Sequence, residues 1–254
     1  ASRRAPYDIK LPLTVYNTSC YRGIPGKYIA AGPLASRWLQ EQFATDATLA
    51  RSGAQVLGEP AAGYLSHPGY AALPKAPYRY QEMLGVIWRE NPSCYLEDGE
   101  QAVLMAALME TDNAGRPLID AWIKRSGLSA DAWLEKLFEA TVIPFYHLLC
   151  RYGVALIAHG QNVTLVMKDY VPQRILLKDF QGDMRLVDED FPQAQSLPEQ
   201  VKAVTARLSA DYIIHDLQTG NFVTVLRFIS RLTLQCGVSE MRFYQILAEV
   251  LRGY

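Results

Sequence analysis

Residues 159–183, His-Gly-Gln-Asn-Val-Thr-Leu-Val-Met-Lys-Asp-Tyr-Val-Pro-Gln-Arg-Ile-Leu-Leu-Lys-Asp-Phe-Gln-Gly-Asp, constrain the fold of this chain more than any other stretch. Two runs of strand type, Val163–Met167 and Ile175–Leu177, flank Lys-Asp-Tyr-Val-Pro-Gln, which supplies turn signals. An antiparallel hairpin centred between Tyr170 and Val171 sets Asn162 opposite Asp179 at its open end, with His159, Gln161, Lys178 and Asp183 close by. An amide and a carboxylate side by side are hard oxygen ligands of the kind Mg²⁺ takes together with phosphate oxygens. The segment therefore reads as a nucleotide–metal site. Asp179 reads as serving the metal rather than the core.

The rest of the chain must supply a scaffold for that hairpin. Its 254 residues, half of them hydrophobic and a fifth charged, suffice for a large domain or two small ones. A net charge of −1 gives no global field for nucleic acid or an anionic membrane, so neither is expected as a partner. No apolar run has the length of a membrane span, and no basic-then-apolar leader opens the sequence. Cys20, Cys94, Cys150 and Cys236 have no paired spacing, which favours reduced thiols and a cytoplasmic location over a disulfide or zinc framework. The sequence opens without Met, its first being Met83, and reads as a piece of a larger protein.

The pattern along the chain predicts an α+β fold, a β-rich first half packed on a helical second half. Residues 7–20 alternate as a strand, and 28–50 carry Leu34, Trp38, Leu39 and Phe43 at helical spacing. Residues 52–80 are rich in Gly, Pro, Ala and Tyr and are expected to hold short strands and loops. Strands are expected over Glu82–Arg89 and Val103–Glu110. From Pro117 the character turns helical, with Ser129 or Asp131 capping a run to Tyr152 that Pro144 should kink or end. After an acidic loop at Val187–Pro198 a helix is expected from about Pro198 to Leu217. A Thr-Gly-Asn break, a helix at about 221–236, Gly237 as C-cap and Ser239 as the cap of a last helix complete the chain. The division falls near residue 115, with 1–115 mostly β and 116–254 mostly helical.

Three clusters carry chemistry: Lys10 with Asn17-Thr18-Ser19 and Arg22; His159-Gly-Gln161-Asn162; and Lys178-Asp179-Phe-Gln-Gly-Asp183. A lysine, an arginine and hydroxyls emerging from one strand and its turn suit a polyanion. Arginine offers a planar fork for phosphate or carboxylate oxygens.

These clusters, with Lys10-Leu-Pro-Leu, Asn17-Thr-Ser-Cys-Tyr-Arg-Gly-Ile-Pro-Gly-Lys-Tyr28, Tyr78-Arg-Tyr-Gln-Glu-Met and Ile87-Trp-Arg-Glu-Asn91, resemble the IucA/IucC-type siderophore synthetases. Those enzymes work independently of nonribosomal peptide synthetases, and the resemblance covers essentially the whole chain. It implies a cupped hand in which 1–115 are fingers and 116–254 palm, with a kinase-like hairpin at the nucleotide–metal site. It also implies an ATP- and Mg²⁺-dependent ligase that activates a citrate-derived carboxylate as an acyl adenylate. The amine of an N⁶-acetyl-N⁶-hydroxylysine-type substrate then captures it and releases AMP. By the same resemblance Lys10, Thr18, Arg22 and Gln161 contact the nucleotide, and Thr18, Arg22, His159 and Gln161 contact substrate. His159 and Arg22 stand at the reacting centre, and Asn162 with Asp179 hold the metal. A homodimer of the intact protein is implied as well. The family's Ser-x-Arg-Thr triphosphate loop and N-terminal thumb do not fall within these residues, and the C-terminal tail is shorter.

Plainer readings compete at single positions. His159 could be a capping histidine and Arg22 a solvated loop charge. His147 and His215 read as structural, Arg89-Glu90 as a local charged pair, and Asp188–Asp190 as a solvated loop. Two other functions compete with the ligase. One is a kinase-like small-molecule phosphotransferase, against which Gln161 stands where such an enzyme needs a catalytic Asp. The other is an inert fragment of a synthetase that serves only assembly.

Overall fold

Proline and short polar residues cut the chain into more elements than its hydrophobic periodicity suggests. The computed structural model describes residues 5–17, 20–73, 82–180 and 182–254. Pro12 has no N–H for a ladder, so the strand expected over 7–20 is split into β1 (Tyr7–Lys10), β2 (Leu13–Asn17) and β3 (Cys20–Arg22). The helix expected over 28–50 is also divided, into α1 (Gly26–Ile29), α2 (Gly32–Thr45) and α3 (Ala47–Ser52). Asp46 makes the last cut: its extended backbone ends α2, and its carboxylate accepts from the Thr48 and Leu49 amides to cap α3.

There follow β4 (Gln55–Val56), β5 (Ala61–Tyr64), α4 (Pro68–Ala71), β6 (Gly85–Glu90) and β7 (Glu100–Leu104). The strand expected over Val103–Glu110 thus begins earlier and gives way to a 3₁₀ turn at Met105–Met109. Beyond α5 (Leu118–Ser126), Ser129 rather than Asp131 caps α6 (Ala130–Tyr152), accepting from the Ala132 amide at 3.2 Å. α6 does not end at Pro144, which lies inside it. Its buried face of Trp133, Leu137, Phe138, Phe145 and Leu148 holds both halves against the core, and that packing outweighs the ladder bond lost to proline.

The hairpin is present, after β8 (Val154–Leu156), as β9 (Val163–Lys168) and β10 (Val171–Leu177). Its register differs from the expected one. Only Asp169 and Tyr170 form the turn, both with positive φ (50° and 65°), the two-residue geometry whose twist matches the strands. Tyrosine is an uncommon residue there, and its neighbours hold it. Trp133 Nε1 donates to its carbonyl at 2.8 Å, and the Arg125 guanidinium lies 5.1 Å from its ring centroid. Val171 faces Lys168, a bulge falls between Pro172 and Arg174, and Leu177 faces Val163. The Lys178 amide accordingly donates to the Asn162 carbonyl at 3.3 Å. Asn162 stands opposite Lys178, not Asp179.

β11 (Met184–Val187) closes the next loop. The single helix expected from Pro198 to Leu217 is instead α7 (Glu199–Lys202), β12 (Ala206–Leu208) and α8 (Ala210–Leu217). No break follows at Thr-Gly-Asn. A π-helical stretch, Gln218–Leu226, carries α8 on into α9 (Arg227–Leu232). Gly237, at φ 81°, ends the following turn, and Ser239 caps α10 (Glu240–Gly253) as its position predicted.

The strands form sheets of order β1-β6-β5, β4-β10-β9-β7 and β12-β11-β8, with β2-β3 as a separate pair. The main hydrophobic cluster takes Trp38, Leu39 and Met105 from before residue 115, and Trp133, Phe138, Leu165, Ile175 and Phe243 from after it. Phe138 and Phe243 meet edge to face with centroids 5.0 Å apart, an arrangement that adds about 0.5–1.5 kcal/mol beyond the area buried. The open end of the hairpin is therefore anchored on a single core, and the β1-β6-β5 sheet reaches it from the other side. Helices and sheets mix along the chain, as the α+β expectation required.

Candidate functional site

Four backbone segments meet at the open end of the hairpin. The loop from β8 to β9 carries His159, Gln161 and Asn162. Its course is fixed by three backbone bonds: the Ile157 amide to Asp183 O at 2.8 Å, the Asn162 amide to His159 O at 2.9 Å, and the Ala106 amide to Gly160 O at 3.0 Å. Gly160 is required for the last of these, because a Cβ there would stand 3.0 Å from the Ala106 Cα and N. From beneath, buried Asn221 of the π-helical stretch donates to the Ala158 carbonyl at 3.0 Å.

The second segment leaves β10 as Lys178-Asp179. Asp179 has φ 62°, in the left-handed region that non-glycine residues seldom enter and where functional sites concentrate strain. This backbone turn re-aims its carboxylate away from Asn162 and toward the first sheet. There Lys10 Nζ donates to Asp179 Oδ1 at 2.6 Å, and Arg89 NH1 stands 3.0 Å from the same oxygen. Lys178 Nζ lies 3.7 Å from the other. Lys10 and Arg89 share one face of the β1–β6 pair, where Lys10 faces Ile87 and Asp8 faces Arg89. Three cations thus surround one carboxylate. Burial alone would raise the Asp179 pKa, but Lys10, Arg89 and Lys178 together hold it below the usual carboxylate range. Burial, together with the neighbouring Arg89 and Lys10 charges, lowers the Lys178 pKa against the pull of Asp179.

Asn162, itself buried, turns to Asp183 instead, its Nδ2 donating to Asp183 Oδ2 at 3.0 Å and to the Ile157 carbonyl at 3.4 Å. Burial raises the Asp183 pKa, with the Asn162 bond opposing it and the Asp179 charge adding to it. The Gln161 amide donates to His159 Nδ1 at 3.3 Å. That leaves the Nε2 proton of the neutral ring as a donor for an oxygen ligand.

The structure therefore brings Lys10 and Arg89 onto Asp179 and sets Asn162 against Asp183, with His159 at the start of the same loop. Adjacent strand residues point to opposite faces, so Arg89 and Glu90 do not form the local pair expected of them. Arg89 turns to Asp179, while Glu90 accepts from Tyr95 Oη, the Gly58 amide and Gln40 Nε2. Gln161 is exposed at the loop. Arg22, the last residue of β3, is exposed and pairs with none of the described residues. Thr18, Ser19, Gln181 and the Tyr78–Gln81 motif lie outside the described residues. His147 has the structural role expected of it, its Nε2 standing 3.0 Å from Asp46 Oδ1 in the core.

Among the described residues no three His, Cys, Asp or Glu side chains form a metal-binding group. The donors present, Asp179, Asp183 and the Asn162 amide oxygen, suit Mg²⁺ in its usual form, bound by one or two carboxylates and completed by phosphate oxygens and water. A cavity of about 90 Å³ is lined by Tyr28, Ala35, Phe180, Gly182, Met184 and Val201. It is smaller than the roughly 300–1,000 Å³ of ordinary ligand pockets, and the candidate site is the charged cluster around Asp179, which is open to solvent on the Lys10 side.

The comparisons with known proteins bear on the family and the fold. Residues 1–110 match the IucA / IucC family, and residues 131–254 match the family described as "Ferric iron reductase FhuF-like transporter". Among the described residues no helix is long and apolar enough to cross a membrane. The chain is 72% identical over all its 254 residues to an aerobactin synthase of Escherichia coli, of which it covers 44%. It superposes with TM-score 0.89 on the aerobactin synthetase IucC of Klebsiella pneumoniae, at 66% identity and over 43% of that chain. With the petrobactin biosynthesis protein AsbB of Bacillus anthracis the TM-score is 0.88, at 26% identity and over 42% of that chain. The chain thus spans less than half the length of these relatives. The chain carries an IucA/IucC family domain over residues 1–110 and is similar over its whole length, in sequence and in fold, to part of the aerobactin synthases.

Proposed function

We propose that the protein carrying this chain is an AMP-forming acid–amine ligase of siderophore assembly. It activates a citrate-derived carboxylate with Mg-ATP and joins it to the amine of an N⁶-acetyl-N⁶-hydroxylysine-type substrate to give aerobactin. The observation that carries the reading is the convergence of Lys10, Arg89 and Lys178 on Asp179, beside the Asn162–Asp183 pair. That is an excess of positive charge next to hard oxygen donors, as a triphosphate with its metal requires. The identity to aerobactin synthases supports the choice of substrates.

In this reading residues 1–115 are the fingers and 116–254 the palm, in a cytoplasmic homodimer. Lys10, Thr18, Arg22 and Gln161 hold the phosphates, and Asn162 and Asp179 hold Mg²⁺, which neutralises charge on the phosphate chain. The substrate carboxylate attacks the α-phosphorus and pyrophosphate leaves. His159, through Nε2–H, and Arg22 orient the carboxylate and then the acyl adenylate. The amine attacks the acyl carbon, loses a proton, and AMP departs. A carboxylate is already nucleophilic at neutral pH, so the site needs no general base in this first step. A kinase-like phosphotransferase would need one, and Gln161 occupies its place.

Product analysis of the intact protein, given ATP with a panel of citrate derivatives and hydroxylated amines, tests the reading. AMP, pyrophosphate and an amide are expected. ADP with a phosphorylated substrate would establish the phosphotransferase instead.

A further inference from the structure

Arg89 has a task that its contact with Asp179 does not explain. It projects from β6 into the cleft with a side chain only 12% exposed. A guanidinium at that depth should have its donors matched, because a buried donor without an acceptor is destabilising, and more so when charged. Arg89 fails this requirement. Its Nε and NH1 hydrogens meet no acceptor in hydrogen-bond geometry among the described residues, although NH1 lies 3.0 Å from Asp179 Oδ1. Lys10 Nζ donates to the same oxygen at 2.6 Å. Lys178 Nζ approaches the second oxygen, so one carboxylate serves three cations and the cluster lacks an anion.

What is missing follows from the shape of the donors. Nε–H and NH1 lie on different edges of the planar guanidinium, so they are matched by oxygens set apart along a chain of phosphates rather than by two oxygens on one atom. Lys10 and Lys178 add point charges on either side. The cluster is open to solvent on the Lys10 side, where that side chain is 42% exposed.

We propose that Arg89 is a phosphate ligand of this site, exchanging its contact with Asp179 for two oxygens of the pyrophosphate part of a nucleoside triphosphate. Resting on the nucleotide reading above, this assigns Arg89 a place in the binding machinery and gives its contact with Asp179 a reason. In the free protein Asp179 holds the guanidinium in position. When the phosphates arrive, Lys10 and Arg89 turn to them, and the freed Asp179 carboxylate would be available to hold the Mg²⁺ of the nucleotide. The step is an exchange of ion pairs; no bond is made or broken.

Inorganic pyrophosphate is the probe, since it tests the cradle without requiring adenylation. Calorimetric titration of the 254-residue chain should show binding that Arg89→Met weakens at least tenfold and that Arg89→Lys, with its charge but no fork, weakens severalfold. In wild-type chain labelled at arginine, the Arg89 Nε–H resonance should move on adding pyrophosphate, a readout independent of how the variants fold. Wild-type affinity in either variant, an unmoved Arg89 signal, or no binding by the wild-type chain would each overturn the proposal. Failure of the ligase reading shows elsewhere: a phosphotransferase would still bind pyrophosphate through Arg89 but would release ADP.

Discussion

Arg89 on β6 and Asp179 at the end of β10 stand 3.0 Å apart across the two halves of the chain, and Lys10 shares the same oxygen. This contact joins the sheet of the first 110 residues to the loop that follows the hairpin. Its consequences are energetic as well as chemical.

Removing the carboxylate should cost stability. In Asp179→Ala three cations lose the carboxylate they share. Breaking a buried pair by deleting one partner typically costs about 3–5 kcal/mol. Urea unfolding at pH 7 should show a loss of that order, and combining the change with Lys10→Met should recover part of it, because neighbouring charges couple. A loss under about 1 kcal/mol would mean that the cluster is solvated.

The two aspartates should respond oppositely to pH. The folded-state pKa of Asp179 is depressed, so its contribution is present above the unfolded value of about 4 and is lost as pH falls through the folded one. Asp183 is raised by burial, so the folded state holds its proton more tightly. Its contribution is present at low pH and is lost as pH rises from about 4 through the folded value. Asp183→Asn keeps an acceptor for Asn162 and removes that loss. Relative to wild type it should gain stability between about pH 4 and 7, whereas Asp179→Asn should lose it. Urea midpoints across that range decide, and parallel trends would contradict the assignment.

Gly160→Ala should loosen the His159 loop. The new methyl would stand 3.0 Å from Ala106 backbone atoms, and moving away would stretch the bond from the Ala106 amide to the Gly160 carbonyl. A cost of about 1–3 kcal/mol is expected for such overpacking. It would be read as a lower melting temperature and faster hydrogen exchange at Ala106. Unchanged exchange at that amide would refute the contact.

Local chemistry was legible in the sequence and distant pairing was not. The strands of the hairpin, the caps Ser129 and Ser239 and the C-cap Gly237 follow from nearest neighbours, and the structure has them. The register did not follow, because Pro172 and Gln173 look like turn residues while the turn is made at Asp169 and Tyr170, held by Trp133 and Arg125 from other elements. Pro144 inside a helix and the strand at Ala206–Leu208 likewise depend on tertiary packing and sheet pairing. At the site, Lys10, His159, Asn162 and Asp179 were singled out, but Arg89 was assigned to its neighbour Glu90. Its partner lies 90 residues away, and only the β1–β6 pairing places it beside Lys10. A basic residue at alternate spacing on a strand facing Lys10 was the available signal.

The bulge in the hairpin should depend on Arg174. Its guanidinium grips both oxygens of Glu100 and donates to the Tyr95 carbonyl at 2.7 Å, tying β10 to the β7 end of the sheet. Arg174 holds the Glu100 pKa down, with burial opposing it. Arg174→Lys keeps the charge without the fork and should cost about 1–3 kcal/mol. Urea unfolding monitored at pH 7 reads it, and a change below about 0.5 kcal/mol would show the fork to be dispensable.

Acid-dependent exchange of labelled pyrophosphate into ATP, measured on the intact protein with Asp179→Asn and Asn162→Leu, tests the assignment of this cleft as the nucleotide–metal site most directly. In variants that circular dichroism shows to be folded, exchange should fall at least a hundredfold below wild type. Exchange at a near wild-type rate in either folded variant would contradict the account.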